Sequence, residues 1–426
     1  MRCDPARGGV RRALPALVVL ALLAGGCERI ANSTPERQLQ RRVARLIPAI
    51  ERNTGLRFKE QPRVAVRSPA EVRRFVEQGF RESRAARDLV GYEAAYKLFG
   101  LIPPTLDLRK ILLDLLEEQV AGFYDPKTKT LYVVTSMPAN TLDVTVAHEL
   151  VHALQDQYVN LDSLRQAEVD NDVATASQAA IEGHATYISL LGLAKPDELA
   201  SVPGGWGAIA AGIRDQSTTA EGLGAAPGAV REALIFPYAA GLPFVAQSYA
   251  AHPGAALIAD APHSTEQVLH PAAFREPRDR PTRVTLPAIV GATVSYENTL
   301  GEFETRLVLA EQLRDTAAAA RGAAGWDGDR YAVVATPDGK RGILWATVWD
   351  TPSEAEEFRT LLVAATARRY RMAPAALAAG LVTAAERTVS VSTATVGGRQ
   401  VVALTDLPAD AAVAPLDPAR ITLDEQ

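Results

Sequence analysis

His148-Glu149-Leu150-Val151-His152, within the stretch VTVAHELVHALQDQY, constrains local conformation more firmly than any other feature of this 426-residue chain. On an α-helix, residues i and i+4 share a face. A helix here sets two imidazoles one turn apart, where neutral ring nitrogens can grip one Zn²⁺. It also sets Glu149 beside the ion, where a carboxylate can take a proton from a bound water. Asn140 is a suitable N-cap, Asp143 in the first turn complements the helix dipole, and the helical pattern runs to about Tyr158. The plainer alternative is an amphipathic helix with two surface histidines and a solvated glutamate. It is disfavoured by apolar neighbours (Val144, Val146, Ala147, Leu150, Val151, Leu154), among which unpartnered imidazoles would be costly.

A catalytic zinc takes three protein ligands and keeps one open position. Gln155 and Tyr158 stand where a metzincin would place its glycine and third histidine, so that pattern is absent. The best third ligand is Glu182, in QAAIEGHATYISLL, on a second helix that starts near residues 170–172. Its small residues (Ala174, Ala176, Ala179, Ala180, Gly183, Ala185) would allow the close helix packing that a short carboxylate needs to reach a metal. Asp170, Asp172, Glu168 and His184 are the competing ligand types. His184 is expected to face away, since two residues turn a helix by about 200°.

HELVHALQDQ followed by IEGHA resembles the glutamate-type zincins, whose third ligand sits in an EGxA-like helix. Closer still is the resemblance to a group of predicted zinc metallopeptidases of the bacterial cell envelope. GFYDPKTKTLYVV before the first helix, STEQVLHP at 264–271 and GWDGDRYAVV at 325–334 extend that likeness over roughly residues 40–370. The resemblance implies a zincin-like fold, His148, His152 and Glu182 as zinc ligands, and Glu149 as the base. His184 departs from it, because relatives of this kind are expected to carry an acidic residue there.

The N-terminus bears on location. Arg2, Arg7, Arg11 and Arg12 precede an apolar run at 13–24, the pattern of a signal peptide and too short for a membrane span. Ala24-Gly25-Gly26-Cys27 resembles a lipobox, so Cys27 is expected to become a lipidated N-terminus in the cell envelope; ordinary cleavage and secretion is the alternative. Loss of residues 1–26 would remove four Arg and one Asp, taking the formal charge from −5 to −8. That acidity argues against nucleic-acid partners. The expected partners are a peptide or protein substrate and, through the lipid, the membrane.

The anticipated architecture is a helix-rich α+β fold: a tether and first helix at 27–53, a zincin-like peptidase domain at 54–275, a C-terminal α+β module at 276–407 and a frayed tail at 408–426. Phe123-Tyr124 and residues 130–134 read as a hairpin edging the cleft, where an extended peptide could pair. Residues 195–230, rich in Gly, Ala and Pro, fit a mobile lid or a long surface connection. Residues 231–251 read as a buried helix interrupted by Pro237 and Pro243. His270, ending a helix capped by Ser264, is a candidate oxyanion stabiliser, although a capping or core role is commoner for such a histidine. Two rival functions use the same residues without chemistry: a zinc-binding envelope scaffold, and a chaperone-like assembly factor.

Overall fold

The computed structural model describes residues 34–424 apart from 83, 120–121, 136–138, 168, 193–195, 252–259 and 276. The signal segment, Cys27, Glu168 and the side chain of Asn140 lie outside the described residues. The chain is a mixed α+β protein.

The first layer forms around helix α1 (Pro35–Thr54). Thr34 caps it through its side chain, and Gly55 ends it in the left-handed region at φ 71°. Its buried Leu39, Val43, Ile47 and Ile50 recur every three or four residues and so form one stripe. That stripe joins Leu131 and Val133 of a small sheet in one apolar core. The sheet holds β1 (Arg63–Arg67), β2 (Gly122–Asp125) and β3 (Thr130–Val134) in the order β1-β3-β2, with β1 parallel and β2 antiparallel to β3. Helix α2 (Arg84–Phe99) leaves this layer and packs on a second sheet, described below.

Helix α3 (Ala139–Asp156) carries His148 and His152. It buries Val146, Leu150, Val151 and Leu154 in the core shared by α1 and β3. Asp143 does more than complement a dipole, since Arg42 and Arg45 of α1 both pair with it. Helix α4 (Asn171–Leu191) begins at an N-cap Asp170, whose side chain accepts from the Val173 amide. Helices α5 (Gly228–Ala239) and α6 (Gly241–Ala251) pack on α4. A Cβ on Gly183 would lie 2.3 Å from the Gly241 backbone, and one on Gly241 only 2.1 Å from the Ala179 oxygen. The smallest face of α4 therefore meets α6 backbone to backbone, while α4 also packs on α3. Toward α3, the α4 residues Ala185 and Ile188 share a core with Val151 and Leu154. Residues 196–230 fold largely as short helices, Pro196–Ala200 and Gly205–Thr219, with a 3₁₀ turn at Leu223–Ala225.

The second sheet has six strands in the order β5-β6-β7-β10-β9-β8. These are β5 (Thr293–Asn298), β6 (Trp326–Ala335), β7 (Arg341–Trp349), β8 (Val382–Ala384), β9 (Arg387–Val396) and β10 (Arg399–Pro408). Alternation divides the sheet cleanly. Tyr331, Val333, Ile343 and Trp345 face a core shared with Phe99 of α2 and Phe358 of a helix at Pro352–Arg369. Ala332, Val334, Leu344 and Ala346 face the other way, against Val413, Leu416 and Ile421. Residues 408–424 thus depart from the expected frayed tail. They bury apolar side chains, and β11 (Thr422–Asp424) pairs with β4 (Arg283–Thr285).

Candidate metal centre

Helix α3 aims His148 and His152 from one face, and their Nε2 atoms lie 3.1 Å apart. Glu182 of α4 brings its Oε2 to 3.1 Å from His148 Nε2 and 3.3 Å from His152 Nε2. These are the sides of a nearly equilateral triangle of lone-pair atoms. A tetrahedral ion with bonds of about 2.0–2.2 Å would hold its ligands roughly 3.3–3.6 Å apart, so a slight spreading of the three atoms around an ion is all that the fit requires. His152 is 5% exposed and Glu182 likewise 5%.

Neighbouring groups fix the orientation of these ligands. Gln155 Oε1 lies 2.8 Å from His152 Nδ1, which makes Nδ1 the protonated nitrogen and leaves Nε2 its lone pair. The Gln155 amide is oriented in turn by donating to the Ile181 carbonyl at 3.0 Å and to His184 Nδ1 at 2.9 Å. Gln178 donates to the other Glu182 oxygen at 2.8 Å. Gln155, read in the sequence only as the absence of a glycine, is thus a hinge of the site. Its signal was its placement one turn below a histidine on the same buried face.

Burial opposes charge on Glu182, yet His152 and His148 outweigh it and hold the carboxyl well below its usual range. Burial likewise works against a charged His152, and Glu182 reverses the balance, raising that imidazole to about 9 in the metal-free chain. An arriving cation must therefore displace a proton. His184 is driven down to about 3, by burial first and by His152 second, and stays a neutral acceptor for Gln155.

Glu149 lies between this triangle and the edge strand β2. Its Oε2 accepts the Tyr124 backbone amide at 2.7 Å, so that edge amide is already committed and not free to pair with an extended peptide. Burial pushes the Glu149 carboxyl up, against the opposing pull of His152 and His148.

The remaining sequence candidates lie elsewhere. Asp172 Oδ1 accepts from the amide and hydroxyl of Thr265 at 3.0 and 2.5 Å, which docks helix α7 (Thr265–Leu269) on α4. The structure does not bring His270 into the cluster. It caps the end of α7, with Nε2 at 2.9 Å from Glu302 and 3.2 Å from Arg306. A histidine held between a carboxylate and a guanidinium has its ring nitrogen occupied, so its expected part in catalysis is not carried forward. Tyr238 of α5, which sequence reasoning passed over, stands beside His148 with ring centroids 6.1 Å apart. A largely apolar cavity of about 760 Å³ reaches the back of α4 at Gln178 and Ile181, with Tyr92, Tyr96, Leu112 and Leu234 among its walls.

With this geometry in hand, comparison with known proteins adds little about chemistry. A family described as a domain of unknown function (DUF8575) matches residues 290–415. That span is the six-stranded sheet and its helices, and it contains none of the clustered residues. No curated protein matches the chain. A solved structure from Chloroflexus aurantiacus, described as a candidate hydrolase with a novel fold, aligns with 60% of this chain and 95% of its own. The identity is 18% and the TM-score 0.33, a likeness too remote to carry an argument about fold or reaction.

Proposed function

We propose that the chain is a zinc-dependent peptidase with a zincin-like core, anchored in the cell envelope through a lipid on Cys27. The observation that carries this reading is the His148–His152–Glu182 triangle, with the base-competent Glu149 one residue from its first ligand. His148, His152 and Glu182 would hold Zn²⁺. Bound there, the ion supplies Lewis acidity that lowers the pKa of a water to ~7 and polarises a carbonyl.

The chain's own groups do the rest. Glu149 accepts the water proton on its carboxylate and passes it to the departing amine. The Tyr124 amide anchors one Glu149 oxygen and leaves the other free for that exchange. Gln155 keeps His152 in the tautomer whose Nε2 is a ligand. Tyr238, whose ring stands beside that of His148, takes the place of His270 as the candidate donor to the oxygen that gains charge on attack.

The deciding experiment is Glu149→Gln in a broad peptide-cleavage screen. The variant is expected to keep its zinc and its fold while losing cleavage by at least ~10²-fold, the scale of a missing proton acceptor. Wild-type-like turnover in Glu149→Gln would overturn the mechanism. A zinc-loaded wild type that cleaves nothing would instead favour the scaffold or assembly-factor reading.

A further inference from the structure

Charge is spread unevenly along this chain. Residues 34–67 hold nine Lys or Arg against three Glu, a formal +6 in a protein whose total is −5. Helix α1 gathers much of that excess on one side. At about 100° per residue, Arg41, Arg52 and Arg45 lie roughly 40°, 60° and 80° around its axis from Arg37. The buried Leu39, Val43, Ile47 and Ile50 occupy the opposite side. All four arginines are exposed, whereas Glu36 and Glu51, the acids of this helix, are half-buried.

Little on the protein neutralises this stripe. Glu51 accepts from Arg57 at 2.6 Å and from the Phe58 amide at 3.0 Å, so it is already committed. Asp143 pairs with Arg42 and Arg45 at the flank, and the Arg45 side chain still keeps 64% of its surface exposed. Among the described residues, the side chains of Arg37, Arg41 and Arg52 make no ion pair. The stripe runs roughly 22 Å along the helix at ~1.5 Å per residue. A straight row of unpaired guanidinium groups matches a flat array of phosphates, which each guanidinium can grip through two parallel N–H groups. The stripe also starts where a membrane is expected. Cys27 stands eight residues before Pro35, so a lipid on it would keep the start of α1 within about 28 Å of the bilayer, at ~3.5 Å per residue.

We propose that the arginine stripe of α1 is a membrane-facing surface that rests on the phosphates of anionic phospholipids. The contact is made by the folded chain itself and needs no acyl group, so it is separate from the lipid on Cys27. It also fixes an orientation. Asp143 of α3 meets α1, and His148 and His152 lie about 140° and 180° around α3 from it. The metal centre therefore faces away from the bilayer, with α3 and α1 in between. On the peptidase reading, its substrate arrives from the aqueous side and not from within the membrane.

The test uses the processed chain with Cys27→Ser, which carries no lipid, and sedimentation with vesicles of phosphatidylcholine alone or with ~30% phosphatidylglycerol. Binding is expected to the anionic vesicles only. Salt at ~0.5 M should release it, because the Debye length then falls to about 4 Å. Arg37→Gln/Arg41→Gln/Arg52→Gln is expected to weaken binding by about 10²-fold, roughly fivefold for each arginine at the surface. These side chains project into solvent, so the variant should fold, and its melting temperature checks this. The corresponding triple Lys variant should keep most of the binding, since the charge is retained. Arg321→Gln/Arg341→Gln/Arg420→Gln removes the same charge from exposed positions elsewhere and should bind as the unsubstituted chain does. None of these readings depends on zinc or on cleavage, so failure here and failure of the peptidase reading are distinguishable. Equal binding by the two triple Gln variants, or no binding to anionic vesicles at ~20 mM salt, would overturn the proposal. A DNA duplex held in place of the vesicles would overturn it too, by assigning the stripe to nucleic acid.

Discussion

The cluster at His148 and the node at Asp329 are both buried polar groups, and they are built on opposite principles. Asp329, fully enclosed beneath the six-stranded sheet, receives donors from every side: the amides of Leu300 and Gly301 at 3.0 and 2.9 Å, and the indoles of Trp326 and Trp345 at 3.1 and 3.0 Å. Each lone pair meets an N–H, so the node is complete and staples helix Gly301–Leu313 to β6 and β7. At His148, His152 and Glu182 the lone-pair atoms converge on one another. A buried acid surrounded by donors is architecture. Acceptors aimed at a common point instead call for a cation or shared protons.

The largest expected effect tests the incomplete side of this contrast. His148→Ala/His152→Ala cuts the ligands from three to one, and zinc affinity should fall by at least ~10³-fold while the chain stays folded. Elemental analysis after dialysis reads it directly. Full zinc occupancy in that double variant would break the comparison at its root.

The complementary change is Asp329→Asn. Its amide would turn an N–H₂ toward a donor, which costs on the order of 2–3 kcal/mol in urea unfolding, with zinc content unaltered. A variant as stable as wild type would mean that the Asp329 node is not the staple described here.

A smaller effect concerns Glu304, which shares features of both regions. Its Oε1 accepts from Tyr92 and Tyr96 at 2.5 and 2.6 Å, while its buried Oε2 has no partner. Burial raises its carboxyl from 4.5 to about 7. The folded state therefore binds this proton more tightly than the unfolded chain does. The resulting stabilisation is complete below about 4.5 and is lost as pH rises through 7. In metal-free protein, raising the pH from ~5 to ~8 should lower the wild-type melting temperature by about 2–4 °C more than that of Glu304→Gln. Parallel pH profiles for the two proteins would remove Glu304 from the account.

What could be read directly from the chain was local. The i, i+4 spacing of His148 and His152 reappears in the fold, and the capping box in which Ser68 meets Glu71, the Thr351 cap of helix Pro352–Arg369 and the hairpin turning at residues 336–340 are local in the same way. Each depends on atoms only a few residues apart, so sequence order carries the geometry. The long-range choices were not legible. Nothing in residues 408–424 announced that Leu416 and Ile421 would close one face of a sheet, and nothing in residues 84–99 announced that Phe99 would seal the other. His270 looked available until Glu302, 32 residues away, took its nitrogen. Spacing decides what a helix or turn displays. Which displayed faces meet, and so which acceptors are left without donors, is decided when the cores close.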